Sequence, residues 1–197
     1  MDELETILDK NLINKTLNNG GVIAFVTDTV WGLGCLPNNK EAVEKIYEIK
    51  GRDKSKPLIL MSNKEEYLIP YIQEIPLKAK ELMQKYFPGA LTLVMQKSVK
   101  TPLTITSQKD TVGIRVPNND FFKKLCSVID GHVLATTSAN FSNHPSSKTY
   151  EETQNSIGDF VDIVFKDYGY ACAGKESTVV LIEKDNVKVL RQGSISI

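Results

Sequence analysis

The 197-residue chain is poor in the residues that metal, disulfide and membrane proteins depend on. Its three cysteines, Cys35, Cys126 and Cys172, are too few and too scattered for a disulfide framework or a zinc knuckle. Neither of the two histidines, His132 and His144, stands in a metal-ligand spacing, so no structural metal is expected. No apolar run approaches the roughly 18 residues of a membrane span. The opening MDELETILDK is acidic, unlike a signal peptide, and the chain reads as cytoplasmic, without membrane contact. Net charge is absent too, because 24 Lys and Arg balance 24 Asp and Glu. That balance argues against bulk, sequence-independent nucleic-acid binding and leaves room for a local basic cleft. Arginine is scarce: only Arg52, Arg115 and Arg191 are found among the basic residues. Each marks either an ordinary salt bridge or a place where a rigid, multi-donor fork serves carboxylate or phosphate. There is no P-loop, nucleophile elbow or zinc-protease motif, and Gly32-Leu33-Gly34 lacks the third glycine of a dinucleotide fingerprint, Pro37 standing there.

What the chain does have is a repeated device, an apolar strand running into small polar residues. Val22 to Val26 leads into Thr27-Asp28-Thr29-Val30-Trp31-Gly32, and Val133 to Ala135 leads into Thr136-Thr137-Ser138-Ala139-Asn140. In one sheet, two such ends would converge on one cleft beyond the strands. The plainer reading of the first is a core strand with a polar turn, Trp31 filling the core.

The remaining chain alternates helix and strand irregularly. Helices are expected over Glu3 to Leu17, after a cap at Asn38 or Asn39, over Glu65 to Ile72, Leu77 to Phe87, Phe121 to Val128 and Tyr150 to Ile157. Asn38 and Glu41 have the spacing of a capping box. Strands are expected over Leu58 to Met61, Leu91 to Met95, Thr111 to Val116, Val161 to Phe165 and Lys175 to Ile182, with Asp185-Asn186 turning into Val187 to Leu190. Lys97 to Lys109 has no period and is expected to be a mobile connection able to close over a site. The fold class is α/β (α+β), one domain over residues 1–197 with a mixed sheet and helical cover.

The candidate site is hydroxyl, amide and basic: Thr27, Thr29, Lys50, Arg52, Lys56, Arg115, Ser138, Asn140, Ser177, Thr178 and Arg191. Such a set suits holding and orienting an anion-rich substrate better than covalent catalysis. The run Lys50 to Lys56 is either a solvated loop or one that folds over a polyphosphate. Asp28 either orients its neighbours or touches a metal.

TDTVWGLG, KGRDKSKPL, YFPGALTLVM, VGIRVP, TTSAN, ESTVV and VLRQG occur in this order, and the series resembles that of the YrdC-like family, in its short bacterial form. The resemblance covers about Asn14 to Gly193. It implies a twisted mixed sheet flanked by helices, the YrdC-like (DHBP synthase-like) fold. The implied activity condenses L-threonine, bicarbonate and ATP into L-threonylcarbamoyladenylate and pyrophosphate. ATP is then a substrate that brings Mg2+ on its phosphates. Partner proteins transfer the threonylcarbamoyl group to N6 of adenosine 37 in tRNA, and weak tRNA binding by the chain itself stays open.

By the same resemblance, Lys50, Arg52, Ser138 and Asn140 lie at the ATP phosphates and the activated carbonyl, supported by Lys56. Arg115, Arg191, Ser177 and Thr178 face the nucleotide, and threonine lies against Thr27, Thr29 and Trp31. Trp31 departs from the family's usual tyrosine, which keeps a flat ring and loses a phenolic hydroxyl. The second domain of longer members is not expected, nor are the acylphosphatase and zinc-finger regions of the hydrogenase carbamoyltransferase. The rival reading is an RNA-binding or nucleotide-binding paralogue of the same fold without the synthase activity. It is supported by the basic loop and opposed by the neutral charge and the lack of RNP, KH or zinc-knuckle patterns.

Overall fold

In the computed structural model, which describes residues 8–184 and 186–197, the first helix, α1 (Lys10–Asn18), starts where Asp9 accepts from the amides of Asn11 and Leu12. That N-cap satisfies two donors that have no helical partner. Of the helix expected from Glu3, residues 3–7 lie outside the described residues. The other helices are α2 (Lys40–Lys50), α3 (Leu77–Tyr86), α4 (Leu103–Thr106), α5 (Asp120–Val128) and α6 (Tyr150–Ile157). Asn39, not Asn38, caps α2, its side-chain oxygen accepting from the Ala42 amide at 3.0 Å. Gly51 ends α2 in the left-handed region (φ 54°), a conformation a Cβ would oppose, and so turns the chain into the basic loop.

The strands are β1 (Ile23–Phe25), β2 (Gly32–Cys35), β3 (Ile59–Ser62), β4 (Leu91–Gln96), β5 (Thr111–Arg115), β6 (Val133–Ser138), β7 (Ile163–Val164), β8 (Thr178–Glu183) and β9 (Asn186–Arg191). They form one mixed sheet in the order β7-β1-β2-β6-β3-β5-β4-β8-β9. The pairs β1/β7, β3/β5 and β4/β8 are parallel and the rest antiparallel. This is the mixed sheet with helical cover that the alternating pattern predicts.

Side-chain alternation divides the sheet into two faces. Leu60, Ile114, Leu93 and Val180 are paired across β3, β5, β4 and β8 and are fully buried. They share one core with Leu17 of α1, Ile46 of α2, Leu82 of α3 and Phe121 of α5. Gly32 and Gly34 serve packing, not a dinucleotide turn. A Cβ at either position would lie 2.9 Å from the ring of Phe25, which tilts against Phe122 at 5.3 Å. Two apolar groups thus meet over a stretch of strand kept bare for them.

Two expected segments differ. Glu65 to Ile72 is not a helix but two 3-10 turns, at Glu65–Tyr67 and Ile69–Tyr71, because Pro70 has no N–H for a continuous α-helical ladder. Lys97 to Lys109 is not a loose connection. Thr101 donates its hydroxyl to Tyr71 O, Ile105 is fully buried in α4, and Ile105 O accepts from Leu58 N at 2.8 Å. At the β8–β9 hairpin, Asp185 lies outside the described residues.

Candidate active site

A cavity of about 820 Å³ lies over the second face of the sheet. Its floor is a row of paired positions, Thr136, Ile59, Gly113 and Val94, crossing β6, β3, β5 and β4. The cleft was expected beyond the strand ends. The two polar strand ends do meet, Ala139 N donating to Trp31 O at 2.8 Å, but they form one wall of a cavity that spreads across the sheet. Thr27, Thr29, Trp31, Lys50, Arg52, Lys56, Arg115, Ser138, Asn140, Ser177 and Arg191 all line it.

The wall at the end of α2 is held by Lys50. Its ammonium donates to Ser138 O (2.5 Å), Asn140 O (2.6 Å) and Asn140 Oδ1 (2.9 Å), while its own carbonyl accepts from Ser142 N (2.8 Å). Ser138 Oγ also donates to Asn140 Oδ1, and Asn140 Nδ2 donates to His144 O, both at 2.6 Å. All three ammonium protons therefore fix one loop. Burial pushes Lys50 down to about 7, the nearby Arg52 charge adds to this, and Glu176 opposes it.

Arg115 is almost wholly buried and its contacts are internal. Nε donates to Gly89 O (2.9 Å), one terminal nitrogen to Thr29 Oγ1 (2.8 Å) and the other to Asp28 Oδ1 (2.5 Å). Asp28 thus orients a neighbouring residue. Burial lowers the Arg115 pKa, and the Asp28 charge works in the opposite direction. Thr27 Oγ1 donates to Val30 O at 2.7 Å and accepts from Thr29 N, closing the turn locally.

Arg191 bonds Glu176, and it reaches Ser177 O (3.0 Å) and Ser177 Oγ (3.2 Å). Thr178 does not line the cavity. It is fully buried and its hydroxyl holds the C-terminal segment, donating to Ile195 O and accepting from Gly193 N and Ile195 N. Trp31 is fully buried, and its Nε1 has no partner among the described residues.

The basic loop folds back on itself. Arg52 donates to Lys56 O and Pro57 O, and burial lowers its pKa. Among the described residues, the amines of Lys56 and Lys109 make no hydrogen bond or ion pair with protein. Lys109 and Glu176 escaped the sequence reading. Lys109 sits in a segment without periodicity, and Glu176 was visible only as the first letter of ESTVV. The cavity therefore combines a hydrogen-bonded frame with cations that have no protein partner among the described residues, an arrangement suited to positioning a polyanion. No cluster of three or more His, Cys, Asp or Glu that could hold a metal occurs among the described residues. Glu176, the one carboxylate lining the cavity among them, is already paired. This donor set fits a divalent cation carried in on substrate phosphates, not one held by a protein cage.

A family profile for Sua5, YciO and YrdC, described as "Telomere recombination", matches residues 15–193. The chain belongs to the Sua5/YciO/YrdC family. A curated member from Vibrio campbellii, named threonylcarbamoyl-AMP synthase, is 34% identical over 91% of this chain and 96% of its own length. The structure of P. abyssi Sua5 complexed with L-threonine superposes with a TM-score of 0.87 at 33% identity, over 93% of this chain. The chain spans only 54% of the length of that Sua5. E. coli YciO, at 26% identity, gives a TM-score of 0.81 and covers 94% of this chain and 90% of its own. No helix among the described residues of this Sua5/YciO/YrdC member is long and apolar enough to cross a membrane.

Proposed function

We propose that this chain is an L-threonylcarbamoyladenylate synthase, an ATP-dependent nucleotidyltransferase acting on L-threonine, bicarbonate and ATP. The observation that carries the reading is the cavity itself, where Lys50, Arg52, Lys56, Lys109, Arg115 and Arg191 surround a floor that includes Thr92, Thr111 and Thr136. Full-length likeness to a threonylcarbamoyl-AMP synthase and close similarity to a threonine-bound Sua5 support the choice of substrates.

The threonine amine takes up bicarbonate to form a carbamate with loss of water. A carbamate oxygen then attacks the α-phosphorus of ATP, and the bond to the β-phosphate breaks with its electron pair leaving on pyrophosphate. Arg52, Lys56 and Lys109 neutralise the phosphates, and Arg191 adds charge at the far wall. Lys50 acts by holding Ser138 and Asn140 in place for the reacting groups. Thr27, Thr29 and Trp31 form the threonine side, with Asp28 and Arg115 fixing their turn. Mg2+ accompanies the phosphates of ATP. The adenylate serves N6-threonylcarbamoyladenosine formation at position 37 of tRNA through separate transfer proteins, in the cytoplasm where tRNA and ATP are found. The basic loop supplies at most a weak tRNA contact.

The test is pyrophosphate release from MgATP and bicarbonate by the purified chain, with and without L-threonine, the nucleotide product being identified by mass. A threonine- and bicarbonate-dependent threonylcarbamoyl adenylate is expected. Salt-dependent RNA binding with no such product would overturn the proposal.

A further inference from the structure

Glu176 is out of keeping with its surroundings. Among the described residues it is the sole carboxylate lining a cavity that six cations also line: Lys50, Arg52, Lys56, Lys109, Arg115 and Arg191. It accepts from Arg191 and, on its other oxygen, from Ser146 Oγ at 2.8 Å. Its charge also favours the protonated forms of both Lys50 and Arg52, so three cations converge on it. A carboxylate at such a focus occupies ground where an anionic group of a ligand would find its strongest attraction.

The same residue has somewhere else to go. Val30, Glu176 and Arg191 also line a second recess, of about 350 Å³, whose other lining residues include Ser146, Lys148, Lys175 and Gln192. The Glu176 side chain is about one-third exposed. Lys148 and Lys175 are exposed there and can receive the displaced charge.

We propose that Glu176 is a built-in competitor for the polyphosphate position: its carboxylate neutralises Arg191 in the empty cavity and is displaced towards Lys148 and Lys175 when a polyphosphate enters. This rests on the reading of the cavity as an ATP site and makes Glu176 a residue that sets polyphosphate affinity within it. A ligand with one phosphate group gains too little from the cations to expel the carboxylate, whereas a triphosphate carries enough charge to do so. The carboxylate then sets the affinity of the empty cavity for polyphosphate, and the cavity recovers its internal counter-ion as pyrophosphate leaves.

The test compares the wild-type chain with Glu176→Gln, which keeps the shape and removes the charge, and Glu176→Ala, which removes both. Calorimetric titration uses inorganic phosphate, pyrophosphate and ATP as probes, at fixed salt because such contacts are screened. Glu176→Gln is expected to tighten pyrophosphate and ATP about tenfold, because both displace the carboxylate in the wild type, and inorganic phosphate by less. Glu176→Ala should move in the same direction. Replacing Lys148 and Lys175 by Gln should weaken ATP about threefold in the wild-type chain and leave it unchanged in Glu176→Gln. ATP and pyrophosphate binding in Glu176→Gln that is measurable but no tighter than in the wild type overturns the competitor role and leaves the ATP site standing. Absence of ATP and pyrophosphate binding by the folded wild-type chain overturns both.

Discussion

Lys50 Nζ lies 2.9 Å from Asn140 Oδ1, across 90 residues of sequence, and within 2.6 Å of the carbonyls of Ser138 and Asn140. One ammonium thereby joins the end of α2 to the exit of β6. The same burial that makes these bonds effective disfavours the charge, bringing Lys50 to about 7 from an ordinary 10.5.

That lowered value makes stability depend on pH. Between about 7 and 10.5 the unfolded chain holds a proton on Lys50 that the folded chain has released, so this residue's contribution to stability increases as pH rises through that window. Below it the cost of the buried charge is present in full. Urea midpoints for the wild type and Lys50→Met, compared from about pH 6 to about pH 10, should differ in slope within this window. Parallel curves would assign the dependence to other groups.

The Asp28–Arg115 pair should be strongly coupled. Asp28→Asn leaves a buried guanidinium without its counter-charge and is expected to cost about 3 kcal/mol in urea unfolding. Pairing it with Arg115→Met should recover part of that loss, because no buried charge then remains. Strict additivity of the two single changes would mean that the ion pair does not hold the turn.

Under the proposed function, Arg52 and Ser138 separate the effect of charge from that of a hydroxyl. Among the described residues, the Arg52 side chain bonds only to carbonyls of its own loop, so Arg52→Ala should change stability by less than about 1 kcal/mol. Its adenylate formation should fall about a hundredfold. Ser138→Ala should be milder, about tenfold, since Asn140 Oδ1 keeps its bond from Lys50. Steady-state rates alongside thermal melts check both; a larger loss at Ser138, or equal loss of folding and rate at Arg52, reverses the assignment.

Thr178 provides the opposite case. Thr178→Val removes the hydroxyl shared by Gly193 N, Ile195 N and Ile195 O and is expected to cost about 2 kcal/mol. ATP affinity should stay within about twofold of wild type. A parallel drop in ATP affinity would put that hydroxyl in contact with nucleotide after all.

Much of the architecture was legible because it rests on local pattern. The apolar run Val22 to Val26, the polar exits at Thr27 and Ser138, and the caps and breakers around α2 and α3 declare themselves over a few residues. The errors came where a neighbour overruled the pattern. Pro70 interrupted a helical period, and Tyr71, Leu58 and the buried Ile105 tied down a segment with no period of its own. Gly32 and Gly34, which the sequence left without a role, make room for Phe25.

The sequence by itself determined the family, the mixed α/β class and the chemical character of the candidate site, since seven ordered motifs supply its hydroxyls, amides and scarce arginines. Only the tertiary structure decided which of these groups remain free for a ligand. Arg115 meets Asp28 and Thr29 across 87 and 86 residues, Thr178 turns to the C-terminal segment, and the amines of Lys56 and Lys109 have no partner among the described residues. The physical reason is that a polar side chain's partners depend on strand order and register, which bring distant residues within hydrogen-bond reach and leave no short-range trace in the sequence.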